Sequence, residues 1–179
     1  MKRYLLALVA LATPAFADPP VKVQDDYGSL NPDDTGREML IRKIEMGARD
    51  TVTCSLAFNT TKYDDHPRAR YVATVCAEAG NTKAMTWISQ FDANGIGGPQ
   101  DLASAANWDR RAADAGDPVG QYNYGLDLLR GFGVPYDPDL GRLYVDRAAA
   151  QGLEIAQKLK RANYDLDEVT PDVETPGGS

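Results

Sequence analysis

Cys54, Cys76 and His66, with the acidic pair Asp64-Asp65, are the first places to look for chemistry in this chain of 179 residues. Two thiols can cross-link, bind metal or act as nucleophiles. Cys54 and Cys76 are not spaced as in a zinc site, and a single histidine does not complete a typical tetrahedral set. His66 stands before Pro67, and no motif pairs it with a cysteine or serine nucleophile. It reads as an exposed loop histidine. Asp64-Asp65 could attract a cation weakly, but acids just ahead of a helix start read as a cap. Gly95-Ile96-Gly97 and Gly131-Phe132-Gly133 follow helical patterns rather than strands and lack the lysine of a phosphate-binding loop. These residues assign no catalytic group, no cofactor site and no metal ligand.

The compartment decides how the cysteines read. Residues 1–17 have the form of an export signal: Lys2-Arg3, an apolar run from Tyr4 to Ala12, and the small-x-small site Ala15-Phe16-Ala17. The run is too short to span a bilayer, although a retained anchor is the other reading. The expected location is periplasmic or secreted, with no membrane insertion after cleavage. In an oxidising compartment the even pair Cys54 and Cys76 forms a disulfide; two buried thiols are the alternative. The net charge of the whole chain is −7, and removing Lys2 and Arg3 makes the mature chain two units more negative. An acidic surface keeps an exported protein soluble and argues against nucleic acid as a partner.

The elements that must position these residues repeat. Residues 18–33 are rich in proline and aspartate and read as a flexible leader. Beyond them, Gly47, Gly80, Gly116 and Gly152 mark spacings of 33, 36 and 36 residues, the period of stacked helical hairpins. Eleven residues before each glycine stands a small residue: Gly36, Ala69, Ala105 or Gly141. Eight before stands a bulky apolar one: Met39, Val72, Trp108 or Tyr144. Three before come Ile44, Ala77, Ala113 and Ala149, and four after come Thr51, Ala84, Gly120 and Ala156. Spacings of three and eight keep such columns on one helix face. Arg42, Arg111 and Arg147, five before the glycine, form a basic column that reads as a solvated face.

Each unit is therefore a helix A, a turn and a helix B, closed by a glycine suited to end a helix. The expected helices are B at 34–46, A at 48–60, B at 66–79, A at 82–94, B at 101–114, A at 118–130, B at 138–151 and a last A at 154–164. Asp101 and Asp137 should begin the second and third full B helices. Residues 165–179 are acidic with two prolines and read as a disordered tail. The fold class is all-α: an α/α solenoid of stacked antiparallel helix hairpins over residues 34–164.

The stretch Gly116–Gly152 resembles the Sel1-like repeat family, a relative of the tetratricopeptide repeat. Gly120, Tyr122, Gly125, Gly131-Phe132-Gly133-Val134, Asp137, Gly141, Tyr144, Ala148-Ala149 and Gly152 carry the pattern. The unit before it matches through Ala84, Gly95-Ile96-Gly97, Asp101, Ala105, Trp108 and Ala112-Ala113. The unit from Gly47 to Gly80 has Asn59-Thr60-Thr61 in place of G-x-G. The resemblance implies a scaffold that binds a protein or peptide, regulatory in some members, with helix A lining the inner wall. On that wall the Tyr124 column (Ser55, Ile88, Tyr124 and Lys160) is the candidate groove. A cysteine-rich branch of the family implies the alternative of a cell-envelope hydrolase or β-lactam-binding protein. No serine here is followed three residues later by lysine, so the chemistry of that branch does not carry over. The expectation is a non-enzymatic scaffold without a cofactor. Mass spectrometry of the mature protein from its host should find Asp18 at the amino terminus; an intact Met1 would refute the signal.

Overall fold

Side-chain caps set where almost every helix of this chain begins, and tight backbone reversals set where most of them end. The computed structural model describes residues 36–169. The expected signal (1–17), the leader (18–33) and residues 170–179 of the expected tail lie outside the described residues. Within them the chain is all helical: α1 (Gly36–Glu45), α2 (Thr51–Thr61), α3 (His66–Glu78), α4 (Thr82–Asn94), α5 (Leu102–Asp114), α6 (Pro118–Arg130), α7 (Pro138–Ala150) and α8 (Glu154–Arg161). The even-numbered helices are the A helices and the odd-numbered ones the B helices.

Asp50, Asp65, Asn81, Asp101, Asp117 and Asp137 cap α2 to α7, each accepting from a backbone N–H two or three residues on. These bonds satisfy donors that a helix leaves orphaned. The B helices close by one repeated device. At Gly116, φ is +87°, a conformation that favours glycine. Its N–H bonds the Ala113 carbonyl at 3.0 Å, and the next N–H, from Asp117, bonds that of Ala112 at 3.0 Å. Gly47, Gly80 and Gly152 carry the same pair of reversed bonds, the Schellman arrangement. In two units the residue after this closure, Asn81 or Asp117, caps the next A helix, so one reversal ends a helix and begins another.

The A helices end differently. Gly95 and Gly131 terminate α4 and α6 in the left-handed region. The second glycine of the pair makes room for a close approach, since a Cβ on Gly133 would overlap the Leu102 carbonyl at the start of α5. The turn therefore lies directly on the preceding B helix. Unit one, without the glycine pair, runs α2 on to Thr61, whose buried hydroxyl donates to the Ala57 carbonyl at 3.0 Å.

Small residues let neighbouring helices cross closely. A Cβ on Gly120 would come within 2.5 Å of the Ala112 Cβ, and Gly125 and Gly141 meet backbone to backbone across α6 and α7. Of the expected columns, Ala69, Ala105, Val72, Tyr144, Ile44, Ala77, Ala113, Ala149, Ala84 and Ala156 are buried. Trp108 is half-buried, and Gly36, Thr51 and Met39 are exposed; Met39 is 48% exposed because among the described residues no unit stands before α1 to cover it.

Three boundaries move. Helix α2, expected from 48, starts at Thr51 behind its Asp50 cap. Helix α8 stops at Arg161, where Asn163 and Tyr164 take positive φ. The Tyr164 hydroxyl then donates to Asp146 at 2.8 Å. Residues 165–169, expected in the disordered tail, form a 3₁₀ turn at Leu166–Glu168, with Leu166 and Val169 packed against the cluster that holds Leu159. Apolar side chains at these two positions find uncovered core at the end of the stack.

Cys54 of α2 and Cys76 of α3 form a disulfide, with Sγ atoms 2.05 Å and Cα atoms 6.1 Å apart. Both are fully buried. The bond staples the unit that lacks the glycine turn. Replacing both cysteines with alanine should cost about 3 kcal/mol in the chain-entropy account, and hydrogen exchange should rise first across α2 and α3. An unchanged denaturation midpoint would show that this unit does not depend on the bond.

Candidate functional site

Counting from the capping residue aligns the A helices, and the alignment exposes a polar interruption of the core. Asp50, Asn81, Asp117 and Leu153 occupy equivalent cap positions. In unit one the cap stands three residues after Gly47 rather than one residue after the glycine, so the glycine ruler misplaces α2 by two residues. Thr53, not Thr51, is the equivalent of Ala84 and Gly120. Ala57, not Ser55, is the equivalent of Ile88 and Tyr124.

In this register the expected groove column becomes a core column. Ala57 is fully buried, Ile88 is 2% exposed and Tyr124 is 8% exposed. Tyr124 meets Tyr144 edge-on at 5.0 Å between ring centroids. Lys160 is exposed and pairs with Asp146 of α7 at 3.1 Å. Ser55 is half-buried and lies off the column. The four residues therefore form no common groove. The physical reason is that position seven of an A helix faces its own B helix, which covers it.

Position eight of α2 and positions six and ten of α4 hold an aromatic cluster. Phe58 stacks on Trp87 at 4.1 Å with planes 2° apart, and Phe91 lies 5.7 Å from Phe58. One unit along, the same positions on α4 and α6 are Ser89, Asn123 and Asp127. Beneath them Asp109 of α5 replaces Ala73, in a column whose third member is Val145. Ser89 donates its hydroxyl to Asp109, and Asn123 donates Nδ2–H to the other Asp109 oxygen at 3.1 Å. Asp109 is 5% exposed. The Oδ2 atom of Asp127 is buried with no hydrogen-bond partner among the described residues.

Burial raises both carboxyls. Asp109 is pushed up to about 6, against the lowering effect of the Ser89 and Asn123 hydrogen bonds. Asp127 is pushed up to about 7 by desolvation first and the neighbouring Asp109 charge second. Two such acids can hold a proton near neutrality and present hydrogen-bonding groups to an amide or amine. Ser89 donates its hydroxyl to Asp109, and the backbone of His66, at the start of α3, lies instead against the Gly97 turn. Among the described residues no group of three His, Cys, Asp or Glu is placed to hold a metal ion.

A second polar cluster is structural. Arg70 of α3 donates to Asp92 at 2.5 Å and to the Ile96 carbonyl at 3.1 Å, and Ser104 donates to Asp92 at 2.6 Å. These bonds pin the glycine turn of unit two between two B helices. Asp65, Asp101 and Asp137 serve as the expected caps. Arg111 and Arg147 lie on the exposed B-helix face but stack over Trp108 and Tyr144, at 4.0 and 5.1 Å from the ring centroids.

The Sel1 repeat family matches residues 82–117 and 118–153. These two stretches are Sel1 repeats. Three solved structures share their arrangement. A Sel1 repeat protein from Oxalobacter formigenes is 22% identical with a TM-score of 0.67, over 72% of this chain and 38% of that one. A protective antigen of uropathogenic Escherichia coli strains, displaying an SLR fold, is 25% identical with a TM-score of 0.64, over 79% and 31%. Helicobacter pylori cysteine-rich protein B is 19% identical with a TM-score of 0.57, over 69% and 96%. The chain thus spans about a third of the length of the first two. No curated protein matches it.

The polar cluster falls between the two Sel1 repeats, and reading by motif overlooks it. One signal was present: Asp109 stands in a column that is otherwise apolar, with Leu40, Ala73 and Val145. Both acids hold their proton more tightly folded than unfolded, where the ordinary value is about 3.9. Their contribution to stability is therefore complete below about pH 4 and is lost as pH rises to about 7. Asp127→Asn should remove the upper part of that fall and raise the denaturation midpoint at pH 8. A pH profile superimposing on the parent's would refute the protonated pair.

Proposed function

We propose that this chain is an exported scaffold that binds a segment of a partner protein along its A-helix layer, without catalysing a reaction. The Sel1 repeat is a scaffold fold associated with protein–protein interaction, which supports the general reading. Export rests on the charged and apolar start of the sequence, and a buried disulfide suits an oxidising compartment. Residues 1–17 as signal, 18–33 as leader and the tail beyond 169 belong to the same proposal.

The observation that carries binding is the exchange of an aromatic cluster for a polar one at equivalent positions. Phe58, Trp87 and Phe91 show what stability alone would place there. Ser89, Asn123 and Asp127 sacrifice that packing and leave a carboxylate oxygen without a partner, at a cost on the order of 1–3 kcal/mol. Asn123 and Asp127 are only half-buried, so a ligand can reach them. A partner segment lying on this face would meet the accessible parts of Asn123 and Asp127.

A photo-reactive residue introduced at Asn123, in protein expressed in its host, is the test. A discrete adduct from Asn123, absent when the same residue replaces the exposed Leu143 of α7, is the expected result. Equal labelling from both positions, or none from Asn123, would remove the A-helix layer as the binding face. Fractionation of the same cells should place the protein outside the cytoplasm.

A further inference from the structure

The end of the stack carries a seat shaped for one more helix. In the third unit, Gln121, Tyr124 and Gly125 of α6 face α7. Gln121 donates to the Ala113 carbonyl and accepts from Gln151 at 2.8 Å. Tyr124 meets the Tyr144 ring, Gly125 lies against Val145, and the Tyr144 hydroxyl donates to Asp114 at 3.3 Å. One unit along, the equivalent residues are Gln157, Lys160 and Arg161 of α8, with Ala149 and Ala150 of α7 equivalent to Ala113 and Asp114. Gln157 repeats the first bond, donating to the Ala149 carbonyl at 3.2 Å. These residues, with Asp146, line an open groove of about 490 Å³ where the B helix of this unit would lie.

We propose that this groove docks an acidic helical segment of a partner protein. Shape asks for a helix, because the groove is the place a B helix takes in the unit before. Charge selects its composition. Where α6 offers a tyrosine and a glycine to an apolar helix, α8 offers Lys160 and Arg161. Their bulk and charge exclude the close apolar crossing that Gly125 permits and favour carboxylates one helix diameter away. Asp146 already engages Lys160 and Tyr164, so the guanidinium of Arg161 is left for the newcomer. The basic last turn of α8 is set in a chain of net charge −7, which steers an acidic segment to this end. The floor of Ala149 and Ala150 leaves room for the side chains of the docked helix. This surface is distinct from the Asp109–Asp127 cluster, and the two can fail independently.

The probe is a peptide of residues 137–152, the chain's own B helix, compared with the same peptide carrying Tyr144→Glu and Val145→Glu. Those two positions would meet Lys160 and Arg161. Titrated calorimetrically into the full chain at low salt, the acidic peptide should bind at least tenfold more tightly than the parent peptide, with the advantage shrinking as salt rises. Arg161→Glu in the full chain, at an exposed position, should abolish that advantage while leaving photo-labelling from Asn123 unchanged. Equal binding of the two peptides, no binding of either, or an advantage that survives Arg161→Glu would overturn the proposal. Tighter binding of both peptides by a chain truncated after residue 169 than by the full chain would assign the groove to this chain's own acidic residues beyond 169, and would also overturn it.

Discussion

The reversal at Gly116 and its three counterparts is the constraint on which the stack depends. A helix that ends in water leaves its last carbonyls to solvent. Here two of them are satisfied by N–H groups that turn back on the chain, and only a backbone with φ near +90° allows this. The next helix must then start within one to three residues, at a fixed angle to the one just ended. Repeating that joint four times places successive hairpins in the same relation, so that the faces of the A and B helices meet similar neighbours in each unit. Packing of alanine and glycine at the crossings follows from the joint, because it brings helices nearer than leucine-lined helices lie.

Unit one shows what happens when one part of this arrangement changes. Two extra residues enter the joint after Gly47, the glycine turn is gone, and α2 ends without a left-handed residue. The unit keeps its place by other means: the Asp50 cap resets the helical phase, Thr61 bonds back to its own helix, and the Cys54–Cys76 bond ties α2 to α3. The disulfide lies where the repeat is least regular, next to a leading helix with Met39 exposed.

The two candidate surfaces arise from one cause. A repeat scaffold presents equivalent positions several times, and it gains a specific site wherever one copy departs from the rest. Between the two Sel1 repeats the departure is chemical, with acids and amides in place of aromatic rings. At the end of the stack it is positional, since among the described residues α8 faces no B helix and presents Lys160 and Arg161 at the equivalent positions. The first departure gives up packing stability near neutral pH. The second leaves a helix-sized groove with a basic edge in an acidic protein.

The repeat, its period, the joints and most helix ends were legible in the order of residues, because caps and closing glycines act within a few residues of backbone. The helices at 82–94 and 118–130 fell where expected, and any disulfide could only join Cys54 to Cys76, although two free thiols were the other reading until packing brought the sulfurs together. The reading of α2 slipped by two residues because glycine marks the end of one helix, whereas the phase of the next is set by its own cap. Which columns lie inside was settled only by packing. Ile88 and Tyr124 are core because their own B helices cover them, and Lys160 is exposed because among the described residues no B helix lies beside it. The Asp109–Asp127 pair belongs to the same class: its two acids come from different helices, and their shared desolvation exists only once α4, α5 and α6 have packed.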